Sequence, residues 1–376
     1  MCGEAVVIGG GIGGLTAAAA LKRQGWRVLV LERASSLDPV GSAIAVMPNA
    51  LRALDVLGVG DAVRKRARIP GDTGLRRAGG AWLSRTSAEA AFAHFSDATV
   101  LAVRSDIVAL LRGLLADEEV RLKTEVTGVS PGDGVVTTDA GDERADLVVA
   151  ADGIWSATRA TLFPGHPAPA YTGLTSWRLL VEDPVIAFEE TWGQGRAFGV
   201  NVATDGLIYC YATAPAPAGE HAVSEKDELT RLFGTWHEPI PQLIKAVDPA
   251  RVLRTDIWHL GTPLPAFHRG RVAILGDAAH PMTPNLGQGG CQAMEDAIVL
   301  AHEVTRGAGL EGYTAARLPR TTAIARRSLA ISRFTVVRNP ALTALRDAAV
   351  WAAGKLGPNM VLRQADLAFN WQPPTL

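Results

Sequence analysis

Three clusters of glycine and acidic residues, in a fixed order along the chain, carry most of the chemistry this sequence offers. The first is Gly9-Gly10-Gly11-Ile12-Gly13-Gly14, which follows the apolar run Val6-Val7-Ile8, with Glu32 closing a second apolar run. In this spacing Gly9 permits a tight strand-to-helix turn, Gly11 lets a pyrophosphate approach the backbone, and Gly14 lets helix pack closely on strand. The free N–H groups of the helix start, around Ile12 and Gly13, then face phosphates, and Glu32 accepts both hydroxyls of an adenosine ribose. A glycine-rich loop without a ligand is the competing reading; placement between a strand and a helix argues against it. By itself the cluster does not choose between NAD and FAD.

The second cluster is Ala151-Asp152-Gly153-Ile154-Trp155-Ser156. The third is Gly276-Asp277-Ala278-Ala279-His280-Pro281, followed by Pro284-Asn285-Leu286-Gly287-Gln288-Gly289-Gly290. A strand ending there puts Asp277 at the carboxyl edge of a sheet, where open α/β folds bind ligands. After a proline-rich bend, Gly287–Gly290 opens a further helix, whose positive end suits charge developing on the pyrimidine side of a reduced flavin. A capped helix after a loop explains each piece but not their order. NAD dehydrogenases have no need of this second helix terminus, so the set points to a flavin.

The elements that must hold these clusters are legible in outline. Ala5–Gly9 reads as a strand, 13–24 as a small-residue helix stopped at Gly25, and Arg27–Leu31 as a buried parallel strand. Residues 49–67 have a helical apolar face, and 74–103, with Gly79-Gly80, reads as short strands crossing to another domain. A helix is expected after Ser105 as N-cap, with Asp106 in its first turn. Strands are expected near 120–129, 134–138 and 147–150, a β-rich texture over 171–260 with a hairpin turning at Asp205-Gly206, and a strand over Arg271–Leu275. Helices are expected over 289–306 and 313–356. The fold class is α/β: a discontinuous Rossmann-type FAD-binding domain (1–75, 100–170, 266–335), an inserted mixed β-sheet substrate domain (76–99, 171–265) and a C-terminal helical segment (336–376).

Composition narrows the class further. The chain has 376 residues, 48% hydrophobic and 20% charged, which suits two joined domains sharing a large core. A net charge of -1 gives no field for nucleic acid or anionic membrane. Cys2, Cys210 and Cys291 lack metal-type spacing, which argues for a reducing, cytoplasmic setting without disulfides or a metal site. No basic-then-apolar leader opens the chain, and no apolar run approaches the roughly 20 residues of a membrane span.

With these motifs together, the chain resembles the single-component FAD-dependent aromatic hydroxylases similar to para-hydroxybenzoate hydroxylase. The resemblance is strongest to the shorter branch of urate hydroxylases, 3-hydroxybenzoate 6-hydroxylases and zeaxanthin epoxidases. It spans about residues 4–330 and includes Gly41-Ser42-Ala43-Ile44, Pro48-Asn49-Ala50-Leu51, Tyr171-Thr172-Gly173 and Trp177-Arg178. It implies that Gly9, Gly11, Gly14, Glu32 and Arg33, with Ile12, Gly13 and Val126, hold the adenosine and pyrophosphate. Arg104 would reach the FAD, against the alternative of a surface arginine. Asp152 and Gly153 belong to a motif tied to FAD and the nicotinamide, with Asp152 alternatively a turn buttress. Asp277 would meet the ribityl region, Pro284 would sit beside the reactive flavin edge, and Leu286, Gly287, Gln288 and Gly289 would offer amides to the ring. Gly41–Ala45 would form a mobile loop on the ring's other face.

The resemblance also implies the reaction. NADPH or NADH, bound transiently, reduces the flavin, and dioxygen forms a C4a-hydroperoxide that transfers oxygen to an aromatic or polycyclic small molecule. No second strand-placed GxGxxG, no halogenase signature and no Cys-x-x-Cys pair is present, which sets aside flavin enzymes with a nicotinamide domain, halogenases and disulfide reductases. In the sheet, alternation places Leu207, Tyr209 and Tyr211 on one face and Ile208, Cys210 and Ala212 on the other. Tyr209 and Arg196 match positions that approach substrate in the urate-hydroxylase branch; a half-buried strand tyrosine is the alternative for Tyr209. Asn201 departs from the proline usual there, and the 42–48 loop carries no base. Trp177, Trp192, Phe198 and Val200 suggest an apolar, polycyclic or indolic substrate, or simply core. Natural-product tailoring is weighed beside catabolism, epoxidation of an alkene beside hydroxylation, and a non-catalytic prenyl- or lipid-binding relative beside both. A monomer or homodimer is expected.

Overall fold

The structure, a computed structural model, describes residues 3–37, 43–65, 72–182, 188–203, 207–355 and 362–375. In chain order, β1 (Glu4–Ile8) leads through the glycine turn into α1 (Ile12–Arg23) and β2 (Arg27–Leu31). Then come β3 (Ala43–Val46), α2 (Pro48–Val56), α3 (Gly60–Arg64), β4 (Asp72–Arg77), β5 (Trp82–Ser87), α4 (Ala88–Phe95), β6 (Val100–Val103) and α5 (Arg104–Arg112). The strands β7 (Val120–Arg121), β8 (Val126–Ser130), β9 (Val135–Thr138), β10 (Gly141–Arg144) and β11 (Leu147–Ala150) precede α6 (Ala157–Leu162). Next are β12 (Ala170–Val181), β13 (Glu189–Trp192), β14 (Ala197–Val202), β15 (Ile208–Pro215), α7 (Glu225–Phe233), α8 (Ile240–Ala246) and β16 (Val252–His259). The chain closes with β17 (His268–Arg269), β18 (Val272–Ile274), α9 (Gly289–Thr305), α10 (Gly309–Thr335), α11 (Pro340–Lys355) and α12 (Asp366–Phe369).

Two sheets organise the molecule. The first has strand order β17-β18-β11-β1-β2-β7, with β1 parallel to both β2 and β11. Its central strands are continuous Val, Ile and Leu runs because helices cover both faces of a parallel sheet, and α1 and α9 pack together against it. The second sheet has order β16-β12-β15-β14-β13-β4-β5. One of its faces forms a core with α7 and α8 around Trp177, Leu179, Phe198, Val200, Cys210, Phe233 and Ile244. The other face carries Leu180 and Tyr209 towards Leu101 of β6. The α/β class and the mixed substrate-side sheet therefore agree with the sequence reading.

Several elements differ from expectation. Segment 74–103 contains α4, an alanine-rich helix capped by Ser87 Oγ, which accepts the Ala90 N–H at 3.1 Å, and stopped by Ser96 in the left-handed region. Segment 171–260 holds α7 and α8 as well as strands; Ser224 caps α7 by accepting the Asp227 N–H at 3.2 Å, and three acidic residues occupy its first turn. Helix α5 starts one residue before the expected cap, with Val103 as N-cap and Arg104 first in the helix. The long C-terminal helix breaks between Thr335 and Pro340, where proline opens a new helix rather than continuing the old one. The hairpin turn Asp205-Gly206 lies outside the described residues.

Candidate active site

The glycine turn is built as its sequence requires. Gly9 has φ +105°, and a Cβ on Gly14 would stand 1.9 Å from the Gly9 carbonyl oxygen, so neither position admits a side chain. Helix α1 begins after Gly11 with no side-chain cap and no acid in its first turn, which leaves its N–H groups for an external anion. Ile12 is buried, and Gly13 sits where α1 approaches α9, its Cβ position 3.1 Å from Ala293 Cβ. Glu32, at the end of β2, accepts the Gly10 N–H at 2.7 Å and the Ala34 N–H at 2.9 Å, which fixes its carboxylate over the turn. Arg33 is exposed beside it. Val126 opens β8 two residues after Thr124, whose N–H bonds the Glu32 carbonyl at 3.0 Å, so it borders the same end of the sheet.

Arg104 links the first and third clusters. It opens α5, and its Nη2 lies 4.0 Å from where a Cβ on Gly11 would stand. Burial lowers its pKa while Asp277 pulls the other way, and Arg178 adds to the lowering. A cation at the positive end of a helix gains nothing from that helix; it is suited to an anion held between Gly11 and Asp277. Asp277 is exposed just beyond β18, with Oδ1 3.8 Å from the Cβ position of Gly289 at the start of α9. Asp152 Oδ2 accepts the Thr158 N–H at 3.1 Å, a turn-bracing bond, while its Oδ1 is buried without a partner. Gly153 takes φ +78°, and Arg159 ties this loop to the third cluster by donating to the carbonyls of Ile154 (2.6 Å) and Ala278 (2.9 Å).

The segment from Pro284 to Gln288 is held from beneath. Pro284, exposed, starts a 3-10 turn through Leu286, and Gly287 follows with φ +62°. Gln288 is fully buried; its Oε1 accepts from Asn49 Nδ2 (3.0 Å) and Gln292 Nε2 (2.8 Å), while its Nε2 has no partner. Asn49 also donates to Glu295 (2.6 Å), and Arg317 Nε donates to Asp296 Oδ1 at 2.7 Å. Asp296 Oδ2 in turn accepts the Gly276 N–H at 2.9 Å and meets His280 Nε2 at 2.5 Å. Burial opposes the Asp296 charge, but His280 and Arg317 outweigh it and draw its pKa down to about 2. The network fixes both Asp277 and the start of α9. An uncapped α1, Arg104 set between Gly11 and Asp277, and the orphaned polar atoms of Asp152 and Gln288 fit a dinucleotide with an anionic pyrophosphate and a polar ring edge. Gly41 lies outside the described residues.

Beside Gly287 stands Met47, which also lines a cavity of about 940 Å³. Its walls come from β4, β5, α4, β13, β14, β15, the end of α10, α11 and α12, with Phe92, Phe95, Phe188, Trp192, Phe334 and Phe369 supplying aromatic surface. Asn201 and Tyr211 reach it from the sheet. Tyr209, on the same sheet face, is 9% exposed and packs on Leu101 and Leu180 beside Arg178; burial raises its hydroxyl pKa against the pull of that arginine.

Arg196 departs from expectation here, and the pocket-or-core alternative divides among four further residues. Arg196 donates to the Leu232 carbonyl and lies 6.0 Å from the Phe233 ring, on the α7 side of the sheet and away from the cavity. Trp177, Phe198 and Val200 belong to that same opposite core, because they share its strand parity. Trp192 alone of that aromatic set lines the cavity. Sequence reasoning also passed over Glu190. The signal was its alternation with Trp192 on a strand whose pairing partner is the one carrying Gly199 and Asn201.

The model of a family described as FAD binding domain matches residues 3–328. An aurachin C monooxygenase/isomerase from Stigmatella aurantiaca is 39% identical over 328 residues, 84% of this chain and 85% of that protein. A FAD-dependent urate hydroxylase from Klebsiella pneumoniae is 36% identical over 316 residues, 79% of this chain and 80% of that one. Among solved structures, Klebsiella pneumoniae HpxO in complex with FAD and uric acid superposes with a TM-score of 0.89 at 29% identity, covering 97% of both chains.

Proposed function

The chain belongs to the FAD binding domain family and is a FAD-dependent monooxygenase of the aromatic hydroxylase type; on that premise we propose that it oxygenates an apolar bicyclic or polycyclic aromatic. The observation that carries this reading is the 940 Å³ aromatic-walled cavity meeting the Met47–Gly287 contact at the third cluster. A volume of that size accommodates more than a single ring. Relatives named for aurachin C and for urate support a small-molecule substrate.

FAD supplies the redox and oxygen-transfer chemistry when bound, with NADPH or NADH as reductant and dioxygen as oxygen source. The chain's own residues position and protect it. Gly9, Gly11, Gly14 and the start of α1 would receive the pyrophosphate, Arg104 would neutralise it, and Glu32 would hold the adenosine ribose, flanked by Arg33 and Val126. Asp277 would meet the ribityl chain, and Leu286 to Gly289 would present amides to the ring, with Pro284 at its edge. Asp152 and Gly153 brace the loop between them. The aromatic walls would shield the reacting centre once a substrate fills the cavity. Tyr209 is assigned to orient the substrate's oxygen substituent from the sheet side of the ring. Tyr209→Phe is expected to leave NAD(P)H oxidation running while product yield per NAD(P)H falls; unchanged coupling would remove it from the reaction.

No helix among the described residues is long and apolar enough to cross a membrane, and none of their His, Cys, Asp and Glu groups forms a candidate metal site. The same reading places the protein in the cytoplasm, as a monomer or homodimer without nucleic-acid or membrane partners, with a discontinuous FAD unit and an inserted substrate unit bounded as the sequence indicates. Product analysis with a fused-ring panel tests it, and separates ring hydroxylation from epoxidation.

A further inference from the structure

The charged residues lining the large cavity are all of one sign. Among the described residues, Glu89, Asp97, Glu189 and Glu190 line it, and no Lys, Arg or His does. Two of these acids are already matched: Asp97 pairs with Arg64 at 2.7 Å and Glu189 with Arg76 at 2.7 Å. Glu89 is exposed in the first turn of α4. Glu190 is different: it is half-buried with surface on the cavity and is held by neutral donors alone, burial raising its carboxyl pKa against them. Trp192 Nε1 donates to its Oε1 at 2.7 Å.

The sheet is built to place this group. Pairing aligns Arg178, Tyr211, Gly199 and Glu190 in one row across β12, β15, β14 and β13. Gly199 leaves the row open at its centre, and the Tyr211 ring lies over it, since a Cβ there would stand 2.2 Å from Tyr211 Cε1. Tyr211 thereby crosses a strand to hydrogen-bond Glu190, and the pair raises the Tyr211 hydroxyl pKa well above its usual range, after burial as the larger cause. An aromatic carboxylate entering such a cavity would lose its water and find no cation, while a ring N–H or ammonium would find an acceptor.

We propose that this cavity selects a neutral or cationic nitrogen heteroaromatic and rejects aromatic carboxylates, with Glu190 accepting the substrate's N–H. The inference rests on the monooxygenase reading only for calling the occupant a substrate. Two probes sharing one ring system test it: 4-hydroxyquinoline, whose 4-quinolone tautomer bears an N–H, and its 2-carboxylate. Each is titrated into the FAD-loaded protein near neutral pH and followed by quenching of tryptophan fluorescence, since Trp192 lines the cavity. The unaltered protein is expected to bind the parent at least about tenfold more tightly than the carboxylate. Glu190→Gln is expected to bring the ratio below about threefold, by weakening the parent and admitting the acid. Equal or tighter binding of the carboxylate by the unaltered protein overturns the proposal without needing any variant. An unchanged ratio in a FAD-retaining Glu190→Gln protein overturns the assignment to Glu190. Discrimination between the probes without any NAD(P)H oxidation would uphold the charge selection and count against the monooxygenase reading.

Discussion

Arg104 stands at the positive end of α5 and answers to Asp277 on one side and to the Gly11 backbone on the other. Its sequence neighbours say nothing of this; only the fold shows the facing carboxylate. Arg104→Met is expected to weaken FAD binding about tenfold to a hundredfold, as loss of a charge-assisted hydrogen bond worth about 1.5–3 kcal/mol requires. Titration of the apoprotein with FAD reads this directly, and an unchanged Kd would remove Arg104 from the site. Cys291 behaves in the opposite way. Burial pushes its thiol up to about 12, so at pH 8 it is a thiol rather than a reactive thiolate. Native protein treated with iodoacetamide is expected to show no label on Cys291 by peptide mapping until it is unfolded; rapid labelling would contradict the packing around Ala45 and Gly287. The turn glycines were legible from sequence because backbone geometry forbids a substitute. Arg196 was misplaced because its face depends on the long-range pairing of β14 with β15.

Helix α9 is where an element, rather than a residue, sets the site. Arg317 is 1% exposed between Glu295 and Asp296, both fully buried, and the group secures Gly276, His280, Gln288 and Asn49 around the helix start. Removing the cation takes one partner from each of two buried carboxylates, leaving Glu295 to Arg320 and Asp296 to His280, so Arg317→Ala is expected to cost about 3 kcal/mol in urea unfolding. A change below about 1 kcal/mol would show the network to be incidental. The pH dependence has a defined sign. Asp296 has a depressed folded pKa of about 2, so its contribution is complete above its unfolded value of about 4 and is lost as pH falls towards 2. Loss of stability over that window should shrink in Asp296→Asn. The sequence announced α9 through its glycines and apolar spacing. It did not announce α4 or α7, whose Ser87 and Ser224 caps were visible but lay in stretches read as short strands.

At the scale of the whole molecule, the dinucleotide half was readable and the substrate half was not. The three clusters converge because β1, β11 and β18 are neighbours in one parallel sheet, so their carboxyl ends share an edge. That is a local rule applied three times. The cavity instead takes its walls from β4 at residue 72 through α12 at residue 366, and no spacing rule joins such distant segments. Hence the cofactor side could be laid out from local motifs, whereas of the residues weighed as pocket or core, Trp177, Phe198 and Val200 fill the core behind the sheet and Trp192 lines the cavity. The most direct test of the account is the visible absorption spectrum of the purified protein, after incubation with FAD and removal of the excess. The two bands of oxidised flavin at one FAD per chain are the expected result; a protein that stays colourless would contradict the assignment of these three clusters to a flavin.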